Sequence, residues 1–213
     1  MIKNIIFDLG GVILNIDYNK TSEAFRDLGL IDFDNLYSQS EQSHLFDKFE
    51  KGLISENDFR ENIRIFSKIN LTDFQIDSAW NAMLLDLPAE RIQILMTAKK
   101  NYRTFLLSNT NIIHLRSYTE NLYKKHNIKS LSELFEKEFF SHEIHLRKPD
   151  IESFNYLIKS ADIDRKETLF IDDSIQHIEG AKIAQLHTFF IDKNRNLDLS
   201  NLFENGKLKS IYE

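Results

Sequence analysis

The chain of 213 residues is 42 % hydrophobic and 28 % charged, enough for one sizeable core and a solvated surface. Its 27 basic and 33 acidic side chains leave a formal charge of −6, so there is no basic footprint for nucleic acid or an anionic membrane. With no cysteine, a disulfide framework, a thiolate metal site and a cysteine nucleophile are all excluded.

In chain order, the first expected element is a short buried strand opening the stretch IIFDLGGVILNID, Ile5 to Asp17. Its β-forming residues end in Asp8, followed closely by Gly10 and Gly11. That places a carboxylate at the carboxyl end of a strand, where open α/β sheets keep their ligand crevices. The glycines leave backbone N–H groups free to approach a small anion. The amino terminus shows no signal-peptide apolar region, and no stretch is long enough to span a bilayer, so a cytoplasmic location is expected.

From 17 to 85 only short amphipathic helices are expected. Ala24, Phe25 and Leu28 stop at Gly29, and Leu45, Phe46 and Phe49 stop at Gly52. Ser55 caps a helix with Phe59, Ile63 and Phe66. Thr72 and Gln75 form a capping box ahead of Ile76, Ala79, Trp80 and Met83. Asp17 reads as a turn residue, a hinge or a substrate contact. Trp80 reads as bundle core, or together with Asn81 as a face toward substrate.

Beyond 86, apolar strands are expected at Arg103–Leu107, Glu138–Phe140, Leu169–Ile171 and Thr188–Ile191. One helix opens at Pro88 and buries Ile92, Leu95 and Met96. Another follows Pro149 with Ile151, Phe154, Ile158 and Ala161, and a third follows Asp173 with Ile175, Ile178 and Ala181. The alternation predicts an α/β fold, a Rossmann-like doubly wound parallel sheet. Residues 1–16 and 86–213 form the core domain. Residues 17–85 form an inserted α-helical bundle, a cap above the carboxyl edge of the sheet. The polar tail after Asp192 reads as a flexible linker.

The strand ends deliver Asp8, then Ser108-Asn109-Thr110-Asn111, then Arg147-Lys148-Pro149, then Asp172-Asp173. Phosphoryl transfer needs much the same set. A carboxylate attacks phosphorus, and carboxylate oxygens hold a hard cation. An ammonium, a hydroxyl, an amide and backbone N–H groups hold the remaining oxygens.

FDLGGV, LLSNT, RKPD and FIDDSIQHIEGA, in that order and each at a strand end, resemble the four motifs of the haloacid dehalogenase (HAD) superfamily. Most of its members are Mg²⁺-dependent phosphatases that work through an aspartyl-phosphate. The resemblance spans almost the whole chain and is nearest to the α-D-glucose-1-phosphate phosphatase subgroup, with the insert in the place of the smaller cap type. It implies Asp8 as nucleophile, Ser108 and Asn109 binding the phosphoryl group, and Lys148 neutralising that group and orienting Asp8. The glycine backbone at Gly10 and Gly11 would add N–H groups to the phosphate site. It further implies Mg²⁺ bound by Asp8, the Gly10 carbonyl and Asp173, with Asp172 assisting directly or through water.

Gly10 stands where typical members carry a second aspartate, the general acid and base. Such assistance is worth roughly 10²–10⁴ in rate, so a substrate with a less basic leaving oxygen, such as a sugar 1-phosphate, is expected. His145 and His177 depart from the subgroup pattern. Each is either a replacement acid and base or a surface or supporting group. No histidine spacing suggests zinc. Three functions follow: a Mg²⁺-dependent phosphatase of a small phosphorylated metabolite, expected to be a sugar phosphate; a metal-independent 2-haloacid dehalogenase; or a weakly catalytic phosphate-binding regulator. The paired acids Asp172 and Asp173 weigh against the dehalogenase. No motif specifies the metabolite or the oligomeric state.

Overall fold

β1 (Asn4–Phe7) lies at the centre of a five-stranded parallel sheet, because both of its faces are apolar. Ile5 and Phe7 point into the hydrophobic cluster on one side, and Ile6 points into that on the other. The structure, a computed structural model, describes residues 1–31, 33, 44–195 and 197–209. The other strands are β2 (Arg103–Ser108), β3 (Lys137–Phe140), β4 (Thr168–Asp172) and β5 (His187–Phe190), in the order β3-β2-β1-β4-β5. Each lies within about a residue of its expected bounds. Phe7 stands opposite Leu106 on β2 and Ile171 on β4. That register brings Asp8 and Asp172 out side by side. They flank the point where the strand order reverses, which is where such sheets bind ligands.

Helices cover both faces. α5 (Ala89–Ala98) and α6 (Ile112–His126) supply Ile92, Leu95, Tyr118 and Leu122 to one layer. α8 (Ile151–Ala161) and α9 (Ile175–Ile183) supply Phe154, Leu157, Ile178 and Ala181 to the other. Between β1 and α5 lie α1 (Tyr18–Asp27), α2 (Leu45–Glu50), α3 (Glu56–Ser67) and α4 (Asp73–Asn81). Their apolar faces meet in a separate cluster containing Phe25, Phe46, Phe49, Phe59 and Trp80. Phe49 and Phe59 stack at 4.3 Å, and Phe46 and Trp80 at 5.1 Å. Such pairs add about 0.5–1.5 kcal/mol each beyond burial. Ser55 with Asp58 and Thr72 with Gln75 form complete capping boxes at the starts of α3 and α4.

The structure departs from the expected pattern in five places. Met96, Phe66 and Ile175 are exposed by 48 %, 44 % and 56 %. On α5 the buried arc runs Ile92, Leu95, Ala98 in steps of three, which leaves Met96 on the flank. Ile175 is the first residue of α9, before the helix meets the sheet. Pro88 precedes α5 in an extended conformation rather than sitting inside its first turn. The tail is no linker over its described residues. α10 (Leu199–Leu202) and the hairpin β6–β7 (Phe203–Glu204, Lys207–Leu208) bury Leu199, Leu202, Phe203 and Leu208 against the sheet.

Candidate active site

Lys148 is the electrostatic centre of the strand ends. It precedes α8 and is fully buried, with Nζ 2.5 Å from Asp8 Oδ1 and 2.7 Å from Asp172 Oδ2. Its ammonium also lies 5.3 Å from the Phe170 ring centroid. Asn109, just past β2, holds the Lys148 backbone in place: its Oδ1 accepts from Lys148 N and its Nδ2 donates to Lys148 O, each at 2.9 Å. The second N–H of that amide remains for another acceptor. Ser108 is buried at the end of β2.

Burial alone would lower the Lys148 pKa, but the attraction of Asp172 and Asp8 outweighs it and raises it, so the ammonium stays charged. Burial likewise opposes ionisation of Asp172, but Lys148 and His177 outweigh it and hold the carboxyl at about 2. At Asp8 burial wins over Lys148, and repulsion from Asp172 and Asp173 adds to it, pushing the pKa up to about 7. One buried cation thus faces three carboxylates. Asp8, Asp172 and Asp173 each offer an oxygen within 4.8 Å of one another. This hard-oxygen set with surplus negative charge fits Mg²⁺. Gly11 adopts φ +79°, and an added Cβ there would lie 1.8 Å from Asp173 Oδ2. Only glycine combines that conformation with room for the carboxylate.

Both candidate histidines have hydrogen-bond partners, and that of His177 lies in the site itself. His177 Nδ1 lies 3.0 Å from Asp172 Oδ2, and His145 Nδ1 lies 2.7 Å from the Lys51 carbonyl. Asp172 Oδ1 also accepts from Ser174 N at the start of α9. Asp17 caps α1, accepting from Asn19 N.

The helical block closes over the strand ends. Arg147 Nη1 lies 2.9 Å from Asp47 Oδ1 and its Nη2 lies 3.0 Å from Glu50 Oε2. Gly52 presses on the His142 carbonyl in α7 (Ser141–Ile144), where a Cβ would come within 2.1 Å. Trp80 takes the core role expected of it. It is buried in the aromatic cluster and also stacks on His114 at 5.0 Å, while Asn81 Oδ1 meets His114 Nδ1 at 2.9 Å. Between the two layers is a cavity of about 80 Å³ whose lining includes Gly10, Ser108 and Asn109 below and Tyr18, Glu50 and Trp80 above. Typical ligand pockets hold roughly 300–1,000 Å³, so this one is small. A larger hollow of about 1030 Å³ lies at the opposite end of the sheet, where Lys99 donates to backbone carbonyls, Arg103 pairs with Glu136 and Lys3 with Glu167. Glu50 and His114 were not anticipated from sequence. The one signal was an acid ending a helix whose other inward positions are phenylalanines.

A sequence profile of haloacid dehalogenase-like hydrolases matches residues 2–185. The chain belongs to that family. This HAD-like hydrolase is 32 % identical over 189 residues to the D-ribitol-5-phosphate phosphatase of Bacteroides thetaiotaomicron, covering 89 % of this chain and 91 % of that one. Its fold matches a HAD family enzyme from Bacteroides thetaiotaomicron solved with magnesium and inorganic phosphate, with TM-score 0.87, 35 % identity and coverage of 96 % and 100 %. It also matches a HAD-like family hydrolase from Porphyromonas gingivalis, with TM-score 0.83, 30 % identity and coverage of 92 % and 94 %. Among the described residues, no helix of the HAD-like hydrolase is long and apolar enough to cross a membrane.

Proposed function

We propose that this HAD-like hydrolase is a Mg²⁺-dependent phosphatase of a small phosphorylated sugar or polyol, working through an aspartyl-phosphate on Asp8. The observation that carries this reading is Lys148 Nζ held between Asp8 and Asp172, with Asp173 beside them, beneath a closed helical layer. Asp8 is the nucleophile, and Lys148 neutralises a phosphoryl oxygen and keeps Asp8 aimed. Ser108 and the free Asn109 N–H hold further oxygens, as does the backbone N–H of Gly10; the Gly11 N–H, expected to join them, instead donates to the Leu14 carbonyl at 2.7 Å. Asp8, Asp172, Asp173 and the Gly10 carbonyl would hold Mg²⁺, which when bound neutralises charge on the transferring group. Residues 17–85 act as the cap that excludes water and selects substrate.

The ribitol phosphate cleaved by the Bacteroides phosphatase is a primary alkyl ester, and this favours the same chemical class over a haloacid. The test is purified protein against ribitol 5-phosphate, glucose 1-phosphate and short haloacids, with and without Mg²⁺. Phosphate release that requires Mg²⁺ is the expected result. Halide release without metal, or phosphate binding without turnover, refutes the reading.

A further inference from the structure

A primary alkoxide is a poor leaving group, and Gly10 has no side chain to protonate it. Some other group must do so, and it must face the cavity beside Gly10. Among the described residues, four titratable side chains line that cavity: Tyr18, Glu50, His114 and Tyr118. Burial pushes the His114 imidazole down to about 3, so it is neutral and no acid near pH 7. A phenol is too weak an acid to shuttle protons near neutrality, and burial pushes that of Tyr118 further up. Glu50 remains.

We propose that Glu50, reaching down from the cap, is the general acid and base for phosphoryl transfer at Asp8, in place of the side chain that Gly10 lacks. The inference rests on the phosphatase reading above and adds a catalytic residue to it. Glu50 ends α2, two residues before Gly52, whose close approach to the His142 carbonyl fixes that end of the cap on the core. Its Oε2 is buried and makes no hydrogen bond. Arg147 Nη2 approaches it at 3.0 Å, in ion-pair range but without hydrogen-bond geometry. About 24 % of the side chain stays accessible. Burial favours its neutral form, Arg147 and Lys51 oppose that, and Asp47 reinforces it, with a net rise in pKa. Such a carboxyl is poised to give up a proton and take one back.

In the first step an Asp8 oxygen bonds to phosphorus, the bond from phosphorus to the ester oxygen breaks, and that oxygen takes the Glu50 proton. In the second, Glu50 carboxylate takes a proton from water as the water oxygen bonds to phosphorus. The bond from phosphorus to Asp8 then breaks, releasing inorganic phosphate and restoring both side chains.

The test compares ribitol 5-phosphate with p-nitrophenyl phosphate, whose phenolate leaves without a proton. For Glu50→Gln the expected kcat/KM falls by about 10²-fold or more on the alkyl ester and is unchanged on the aryl ester. Because the second step also slows, this variant should show a pre-steady-state burst of p-nitrophenolate absent from the wild type. Glu50→Asp, which keeps the carboxyl, should recover part of the alkyl rate. Asp47→Asn loosens the same Arg147 contact but keeps Glu50, and should change both esters alike. Equal loss on both esters in folded Glu50→Gln, or loss on neither, overturns the proposal. Wild-type protein inactive on both esters with Mg²⁺ would instead remove the phosphatase reading, and this inference with it.

Discussion

Replacing Lys148 by methionine keeps the volume of the stem and removes a cation buried among Asp8, Asp172 and Asp173. At 2.5 and 2.7 Å, each Lys148–carboxylate attraction is on the order of 6 kcal/mol at an effective dielectric of about 20. Most of that offsets desolvation of the charges, and breaking such a pair from one side typically costs about 3–5 kcal/mol. For a chain of this size the loss lowers the melting temperature by roughly 6–20 °C. The cost depends on pH in a definite direction. Without Lys148 both Asp8 and Asp172 have folded-state pKa values above the unfolded value of about 3.9. The native state then binds more protons than the unfolded chain, so stability falls as pH rises through that window. Asp8 already lies at about 7 in the wild type. The Asp172 contribution reverses sign, since its value of about 2 now gives stability above pH 4 that the variant lacks. Urea denaturation at pH 8 should therefore show the full deficit, and the deficit should shrink toward pH 4. A deficit below about 1 kcal/mol, the range of an exposed pair, or one independent of pH, would refute this electrostatic account.

Gly11→Ala should abolish Mg²⁺-dependent turnover and cost about 1–3 kcal/mol through its left-handed backbone, because the added Cβ would occupy the space of the Asp173 carboxylate. A melt with and without Mg²⁺ checks it, and a wild-type response to the metal would contradict it. Gly10 is different. Its φ is unexceptional and an added Cβ would meet only the tip of Ile16, at 3.3 Å. Gly10→Asp placed in Glu50→Gln should therefore restore part of the alkyl phosphatase rate, read as kcat/KM, and no recovery would count against room for an acid there.

Much of the architecture was legible because its signals are local. Each strand is a short apolar run, and a parallel register aligned on Phe7, Leu106 and Ile171 carries Asp8, Ser108 and Asp172 to one edge automatically. Capping boxes at Ser55 and Thr72 are equally local and appear as read. Contacts between the cap and the core are not. That Glu50 meets Arg147, 97 positions away in sequence (147 − 50), depends on how α2 lands on the core. The Asn109 clamp on the Lys148 backbone and the crowding of Gly11 by Asp173 likewise arise only from the folded approach of distant loops. The tail misled for a related reason. Leu199, Leu202, Phe203 and Leu208 are spread among polar residues without a clear period, and become a buried set only when a helical turn and a hairpin fold against the sheet.

If Asp8 is the nucleophile, it becomes phosphorylated during turnover. Protein mixed with ribitol 5-phosphate and Mg²⁺, quenched in acid and reduced with borohydride, can be digested and its peptides weighed. Homoserine is expected at position 8, formed only when substrate and metal are both present and absent in Asp8→Asn. Phosphate release without any modification of Asp8, or with unimpaired turnover in Asp8→Asn, would contradict it.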